Sequence, residues 1–254
     1  MRRVVKIGGR AQGDPQLIVQ LATAARRGES LVIVHGGGDE VSTLQRRLGI
    51  EPQFRGGRRV TSAEDLELVR MVLSGATNKR LVAQLLSAGV RAVGVSGEDG
   101  GLLLAHVTDP AFGRVGGAIT AQGTLLAHLW SGGFIPVVSP VGRDADDAHG
   151  SGLNVNGDDA AAAIAVAIGA DELLLVADVP GVLDAAGAVL AELDGSAAQA
   201  LVQQGVAKGG MAAKLEAGAL ALRGGVCRVR VGDLRAITDA SAGTRLLPSP
   251  ASTA

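Results

Sequence analysis

The sequence predicts an α/β fold built on a mainly parallel sheet, and three observations carry that reading. Residues 31–38 read LVIVHGGG, a short β-branched run without helical period that ends in glycines. This is the pattern of a buried parallel strand opening into a crevice where ligands sit. Residues 4–9, VVKIGG, repeat the strand-then-glycine pattern. Between them Asp14 and Pro15 form an N-cap with proline in the first turn, followed by a helix to about Arg27 and a stop at Gly28. A helix near 40–48 completes a β-α-β-α order, which implies crossover helices packed on a parallel sheet.

The remaining elements follow from pattern and punctuation. Residues 50–59 read as a loop with Pro52, Gly56 and Gly57. Ser62 then caps a helix, with Asp65 three positions on and Glu64 beside it in the first turn. Leu66, Val69, Met71, Val72 and Leu73 make a broad apolar face, and after Gly75 the helix resumes to Ser87. A strand at 91–95, hairpin strands at 102–107 and 114–121, a helix at 123–130 and a strand at 134–138 come next. Residues 143–152 are acidic and glycine-rich, as in an exposed loop. Residues 154–168 open with NVNGDD and become an alanine-rich helix. A strand at 173–176, helices near 196–204 and 211–222 and a last clear strand at 226–231 lead to a tail at 248–254 expected to fray. A change of role near residue 170 divides the chain into 1–170 and 171–254.

Composition narrows the function. The chain has 254 residues, 47% hydrophobic and 19% charged, enough for one large or two small packed domains. A net charge of −1 argues against nucleic-acid or anionic-membrane partners. With no Tyr, one Trp and three Phe, base stacking is disfavoured. The single Cys227 excludes an internal disulfide and a cysteine zinc site, and in VCRVRV it reads as a small core residue. No signal peptide precedes the first strand and no apolar run spans a bilayer, so a reducing cytoplasm is the expected compartment.

Several side chains carry chemical potential. Lys6 sits in an apolar strand just before the glycines, where it either snorkels to solvent or meets an anion. Lys214 lies one turn into the helix that follows Gly209 and Gly210; it is either solvated or a phosphate contact. Asp158 and Asp159 open the alanine-rich helix. They complement its dipole, fix nearby ammonium groups or bind magnesium. Asn154 and Asn156 bring amides to the same crevice. Arg58 and Arg59 offer planar forks suited to a carboxylate, only one of them needing to face inward. His35 beside the glycines is either a base or a local hydrogen-bonding group. Asp178, Val179, Pro180 and Gly181 follow a buried strand, as a nucleotide loop or a type II turn. The phosphate loop of P-loop kinases, the Gly-x-Ser-x-Gly elbow and the dinucleotide fingerprint are all missing.

Taken together the motifs resemble the amino-acid kinase family. The matching stretches are VVKIGG (4–9), LVIVHGGG (31–38), GGRRVT (56–61), MVLSGATNKRLV (71–82), NVNGDDAA (154–161), ADVPGVL (177–183) and GGMAAKLEA (209–217), in the family's order and over nearly the whole chain. KIGG marks only the wider family, whereas GGRRVT and NVNGDD are more specific. The resemblance implies a three-layer αβα sandwich with a mainly parallel central sheet. It also implies ATP-dependent phosphorylation of the γ-carboxylate of N-acetyl-L-glutamate, with Mg²⁺ carried by the ATP and no metal site of the protein's own. Lys6 and Lys214 match the lysines that stabilise the transferring phosphoryl group, and Asp158 the aspartate that organises them. Gly37, Gly38, Arg59 and Asn154 match substrate-binding positions, with Arg59 on the α-carboxylate. ATP contacts match Gly9, Asp178, Val179, Pro180, Gly181, Val182, Leu183, Val206, Ala207 and Lys208. The acyl amino acid falls to residues 1–170 and ATP to 171–254.

A carboxylate nucleophile is already ionised at pH 7, so the absence of a convincing general base fits this chemistry. Gly157 stands where the family commonly has alanine, a departure expected to matter little. The chain starts at its first strand, without the extra helix of hexameric, arginine-inhibited members. A homodimer with the helix at 62–73 in its interface is therefore expected. Two other readings remain: a kinase for acetylated or carrier-bound α-aminoadipate, one methylene longer, and a non-catalytic sensor on the same scaffold, against which Lys6, Asp158 and Lys214 jointly argue.

Overall fold

The structure is a computed structural model that describes residues 1–8, 10–55 and 58–248. In chain order its elements are β1 (Arg2–Ile7), α1 (Gln16–Arg26), β2 (Ser30–His35), α2 (Gly38–Arg47), β3 (Phe54–Arg55), β4 (Arg58–Arg59), α3 (Ala63–Val69), α4 (Asn78–Ser87) and β5 (Ala92–Ser96). There follow β6 (Leu103–Val107), β7 (Val115–Ala121), α5 (Thr124–Ser131), β8 (Ile135–Ser139), β9 (Val141–Asp144), β10 (Gly152–Val155) and α6 (Gly157–Ala167). The chain closes with β11 (Glu172–Val176), β12 (Glu192–Asp194), α7 (Gly195–Gln203), α8 (Gly210–Arg223), β13 (Arg228–Gly232) and β14 (Thr244–Leu247).

Eight strands form one sheet in the order β12-β14-β13-β11-β1-β2-β8-β5. The six from β13 to β5 are mutually parallel, and β14 turns antiparallel against β13. The sheet is continuous across residue 170, since β1 lies between β2 and β11. Its central strands are apolar at nearly every position because both faces are covered. On one face Val4, Val34, Leu173 and Leu175 pack with Ala161 and Ile164 of α6 and Leu215 and Ala217 of α8. On the other, Val5, Ile7, Ile33 and Leu174 pack with Leu17 and Leu21 of α1 and Leu81 and Leu85 of α4. The result is the expected three-layer αβα sandwich. The alanines of α6 are buried against the sheet, where small side chains permit close approach. A second, four-stranded sheet closes on itself as β10-β7-β6-β9.

The capping box at Ser62 forms as expected: its Oγ accepts from the Asp65 N–H (3.0 Å) and Asp65 accepts from the Ser62 N–H (3.1 Å). Between α3 and α4 the chain never leaves the helix but widens into a π-helical stretch over Arg70–Thr77, a form that recurs at functional sites. That widening keeps Val69, Val72 and Leu73 buried with Val41 and Val141, while Met71 turns outward at 62% exposure. The broad apolar face thus divides, with Leu66, Val69, Val72 and Leu73 on the core and Met71 left outward.

Other expectations change as well. The loop at 50–59 carries the hairpin β3-β4, with its tip outside the described residues. The loop at 143–152 loses its ends to β9 and β10, and Asp144 is buried beside Arg114 (3.3 Å). The alanine-rich helix starts at Gly157, with Asp158 and Asp159 in its first turn as expected, and Asn156 caps it by accepting from the N–H groups of Asp158 (2.7 Å) and Asp159 (3.2 Å). β14 lies beyond the last strand expected. Cys227 is exposed rather than part of the core, because Val226 takes the inward position just before β13. Most of the fraying tail, 249–254, lies outside the described residues. No helix among the described residues is long and apolar enough to cross a membrane.

Candidate active site

The alternation of β1 sends Lys6 to the same face as Val4, toward α6 and α8. Asp158 stands in the first turn of α6 and Lys214 in the second turn of α8, so three elements deliver three charges to one point. Lys6 Nζ is 3.0 Å from Asp158 Oδ1, and Lys214 Nζ is 3.4 Å from the same oxygen and 3.5 Å from Oδ2. Lys6, Asp158 and Lys214 are 7%, 4% and 7% exposed, so neither lysine snorkels and neither is solvated. Two buried cations share one carboxylate, leaving an excess of positive charge. Burial and then the charge of Lys6 push the Lys214 ammonium below its ordinary pKa. A third charge on such a centre is stabilising only if it is negative. A β-carbon at Gly157 would lie 3.2 Å from Lys6 Cε, the far end of a flexible stem. An alanine there would need the Lys6 side chain to give by a few tenths of an ångström.

Beside this centre lies a cleft of about 310 Å³ whose lining includes Gly37, Gly38, Arg58, Arg59, Asn154, Asn156 and Asp159. Gly37 has φ +146°, open to glycine alone in practice, and a β-carbon there would meet Leu73 Cδ2 at 2.7 Å. Gly37 caps α2 and Gly38 begins it, where backbone N–H groups have no acceptor within the helix. Arg58 is exposed. Arg59 is held from behind: its guanidinium donates to Gly38 O (2.7 Å), to Ser42 Oγ (2.6 Å) and to Gln45 Oε1, and it lies 4.8 Å over the Phe54 ring. Desolvation lowers its pKa, outweighing Asp65 and Asp39. Gln45 is in turn fixed by donating to Asp65 Oδ1 (2.6 Å). Asn154, on β10, donates to Thr61 Oγ1 (3.0 Å). Burial, followed by the neighbouring Asp158, pushes Asp159 up to about 6.

The expected nucleotide positions are more dispersed. Gly9 lies outside the described residues. Asp178 opens on a separate depression with Asp14 and Asp233, while Val179 and Pro180 continue the loop after β11. Gly181 is not left-handed, so a type II turn with glycine third is ruled out; a β-carbon there would meet Thr244 Oγ1 and Val189 Cγ1 at 2.7 Å. Val182 donates its N–H to Thr244 Oγ1 (2.7 Å), and Leu183 bridges to Val189. Val182 and Ala207 share the core under α8, whereas Val206 and Lys208 are exposed just before that helix. His35 takes the local role: it is fully buried and bonds Gly36 O. Sequence reasoning missed the support behind Arg59. Ser42 and Gln45 sit on one face of α2 three residues apart, a spacing that carries no chemical signature until Arg59 is brought to it.

A three-layer sheet with a carboxylate held between two lysines, next to a glycine-capped helix start, has the parts for handling a phosphoryl group. The model of the amino acid kinase family matches residues 1–233, and the chain belongs to that family. Within it the chain is 42% identical over 247 residues to an acetylglutamate kinase of Chloroflexus aurantiacus, covering 95% of each. It is 45% identical over 223 residues to an acetylglutamate kinase of Rubrobacter xylanophilus, covering 88% of this chain and 85% of that one. Among solved structures it matches smu.665 from Streptococcus mutans UA159 with TM-score 0.86 at 31% identity, covering 96% and 98% of the two chains. Carbamate kinase from Giardia lamblia shares the fold, with TM-score 0.70 at 15% identity, covering 98% of each chain.

Proposed function

We propose that this kinase phosphorylates the γ-carboxylate of N-acetyl-L-glutamate, giving N-acetylglutamyl 5-phosphate and ADP, the second step of arginine synthesis. The observation that carries the reading is the pair of buried lysines sharing Asp158 at 3.0 and 3.4 Å, beside a cleft lined by Gly37, Gly38, Arg59 and Asn154. Acetylglutamate kinases at 42–45% identity supply the choice of substrate.

The residues divide the work by charge. Gly37 and Gly38 present backbone N–H groups to the γ-carboxylate and the phosphoryl oxygens. Arg59, pre-positioned by Gln45, Ser42 and Gly38, takes the α-carboxylate with its remaining donors, and Asn154 orients the acylamide. Lys6 and Lys214 offset the repulsion between an anionic nucleophile and an anionic donor, and Asp158 keeps the two ammonium groups at fixed separation. ATP, contacted through the segment 171–254, supplies the phosphoryl group and brings Mg²⁺, which neutralises its oxygens. The carboxylate attacks unaided, being ionised at neutral pH. The exposed Met71 on the long helix supports a second copy docking there as a homodimer, in a cytoplasmic enzyme.

The test is direct. Purified protein is incubated with Mg-ATP and either N-acetyl-L-glutamate or N-acetyl-α-aminoadipate, and acyl phosphate is trapped with hydroxylamine. Hydroxamate from the glutamate compound is expected. Product from the longer acid alone would move the enzyme to lysine synthesis, and product from neither would favour a ligand sensor.

A further inference from the structure

The loop over Gly36–Gly38 is tied down carbonyl by carbonyl. Gly38 O accepts from Arg59 (2.7 Å) and Ser42 (3.1 Å), and Gly37 O accepts from the N–H groups of Glu40 (3.0 Å) and Val41 (3.1 Å). The Gly36 N–H donates to Ile7 O (3.1 Å). That leaves Gly36 O, which His35 Nδ1 reaches at 2.8 Å from a fully buried ring. A carbonyl only accepts, so Nδ1 carries the proton and Nε2 must accept.

Asn78 provides the donor. Its Nδ2 lies 3.1 Å from His35 Nε2 and donates also to Val137 O (2.9 Å), while its Oδ1 accepts from Lys79 Nζ (3.1 Å). A flipped amide would set Oδ1 against the Val137 carbonyl, so the orientation is determined by three neighbours. The fold makes room for it: a β-carbon at Gly94 would stand 1.8 Å from Asn78 Oδ1. Asn78 is the first residue of α4, directly after the π-helical stretch whose Leu73 abuts Gly37. An apolar pair would fill this space without the desolvation cost of two polar side chains. Their bonds therefore set geometry.

We propose that His35 and Asn78 are a positioning pair, which locks the Gly36 peptide so that the Gly37 and Gly38 N–H groups face the reacting oxygens, and ties that alignment to the long helix. The proposal rests on the reading of this loop as the phosphoryl-binding element. Neither residue touches substrate; both act through the loop, where a displacement of about 1 Å costs on the order of 10²-fold in rate.

His35→Asn keeps an N–H at the δ position and loses the acceptor for Asn78; His35→Gln reaches the ε position and loses the δ donor. With N-acetyl-L-glutamate and Mg-ATP, both variants are expected to lower kcat by about 10–100-fold, His35→Gln more than His35→Asn, with KM for ATP within about threefold of wild type. A kcat within twofold of wild type in both folded variants overturns the pair. An independent measurement uses the unaltered protein: its other histidines, His106, His128 and His149, are exposed. ¹⁵N–¹H spectra of the imidazoles should show one ring, buried and protonated at Nδ1, that does not titrate between about pH 6 and 8. Protonation at Nε2 instead overturns the proposal even if both variants fail to fold. A wild-type chain that turns over neither acyl amino acid sinks the reading of the site, whereas an active wild type with unaffected variants sinks the pair alone.

Discussion

Strands β1, β11 and β13 border buried charge on both faces of the sheet, and the two clusters behave in opposite ways. On the α1 face, Arg3 and Arg230 flank Glu172 at 2.6 and 2.7 Å, and Arg3 also meets Glu29 at 3.3 Å. The remaining guanidinium donors run into carbonyls: Arg3 into Ile237 O (2.6 Å) and Ala236 O (3.0 Å), Arg230 into Ala236 O (2.8 Å) and Asp239 O (3.0 Å). The charges balance there, two guanidinium groups against two carboxylates, and the 234–242 segment is pinned to the sheet. On the α6 face two lysines share Asp158, their only bonded partner among the described residues. Similar ingredients thus give a closed structural network in one place and an unsaturated, net positive centre in the other. Arginine suits the first because its fork meets several fixed acceptors at once, and lysine the second because its compact charge can turn to an arriving anion.

Substitutions should separate the two clusters. Lys6→Met or Lys214→Met is expected to lower kcat by roughly 10³–10⁵-fold, about 4–7 kcal/mol of transition-state stabilisation. The melting temperature should hold or rise, since one of two like charges is gone; a variant that melts early and turns over normally would reverse the assignment. Glu172→Gln should do the opposite, costing about 3–5 kcal/mol in urea unfolding by leaving two buried guanidinium groups short of charge, with kcat of the folded protein close to wild type. Arg59→Ala belongs to the binding side of the active centre. It should raise KM for the acyl amino acid by about 10–100-fold, roughly 1.4–2.7 kcal/mol, and an effect confined to ATP would remove Arg59 from the amino-acid site.

The smallest effect concerns Asp159. Its pKa is raised to about 6 from an ordinary 3.8, so the folded state binds more protons than the unfolded one between those values. Stability therefore falls as pH rises through that window, with the penalty absent below about 4 and complete above about 6. Allowing for partial solvent screening, Asp159→Asn should stabilise the protein by roughly 1–2 kcal/mol at pH 7.5 and by nothing measurable near pH 4. His35 shifts the other way, down to about 4 from 6.5, but is common to both proteins and cancels in the difference. A constant difference between pH 4 and 7.5 would show that Asp159 is not the titrating group.

Much of this was legible along the chain. The long central strands, the capping box at Ser62, the alanine helix and the glycine loop are local patterns, and each stands where residue type and period put it. The members of the charged centre, Lys6, Asp158 and Lys214, could be named singly, though their sharing of one carboxylate could not. Elements of two to four residues escaped. β9, β10 and β14 take partners distant in sequence, β3 and β4 pair with each other, and runs this short carry too little period to be seen. Cys227 failed for a simpler reason: an apolar run one residue before a strand does not reveal which face each side chain takes.

The sequence by itself determined the layered architecture, the family and the residues able to carry phosphoryl chemistry, because periodicity, caps and glycines act over a few neighbours. Tertiary structure alone decided which charges are spent and which remain available. Along the chain Arg3 and Arg230 interrupt apolar runs just as Lys6 does. Only the packing of α1 and the 234–242 segment on one face, and of α6 and α8 on the other, closes the first set and leaves the second open. Likewise the second ring nitrogen of His35 gains its partner only once Asn78 arrives from 43 residues away, since the neighbouring Gly36 carbonyl reaches Nδ1 alone.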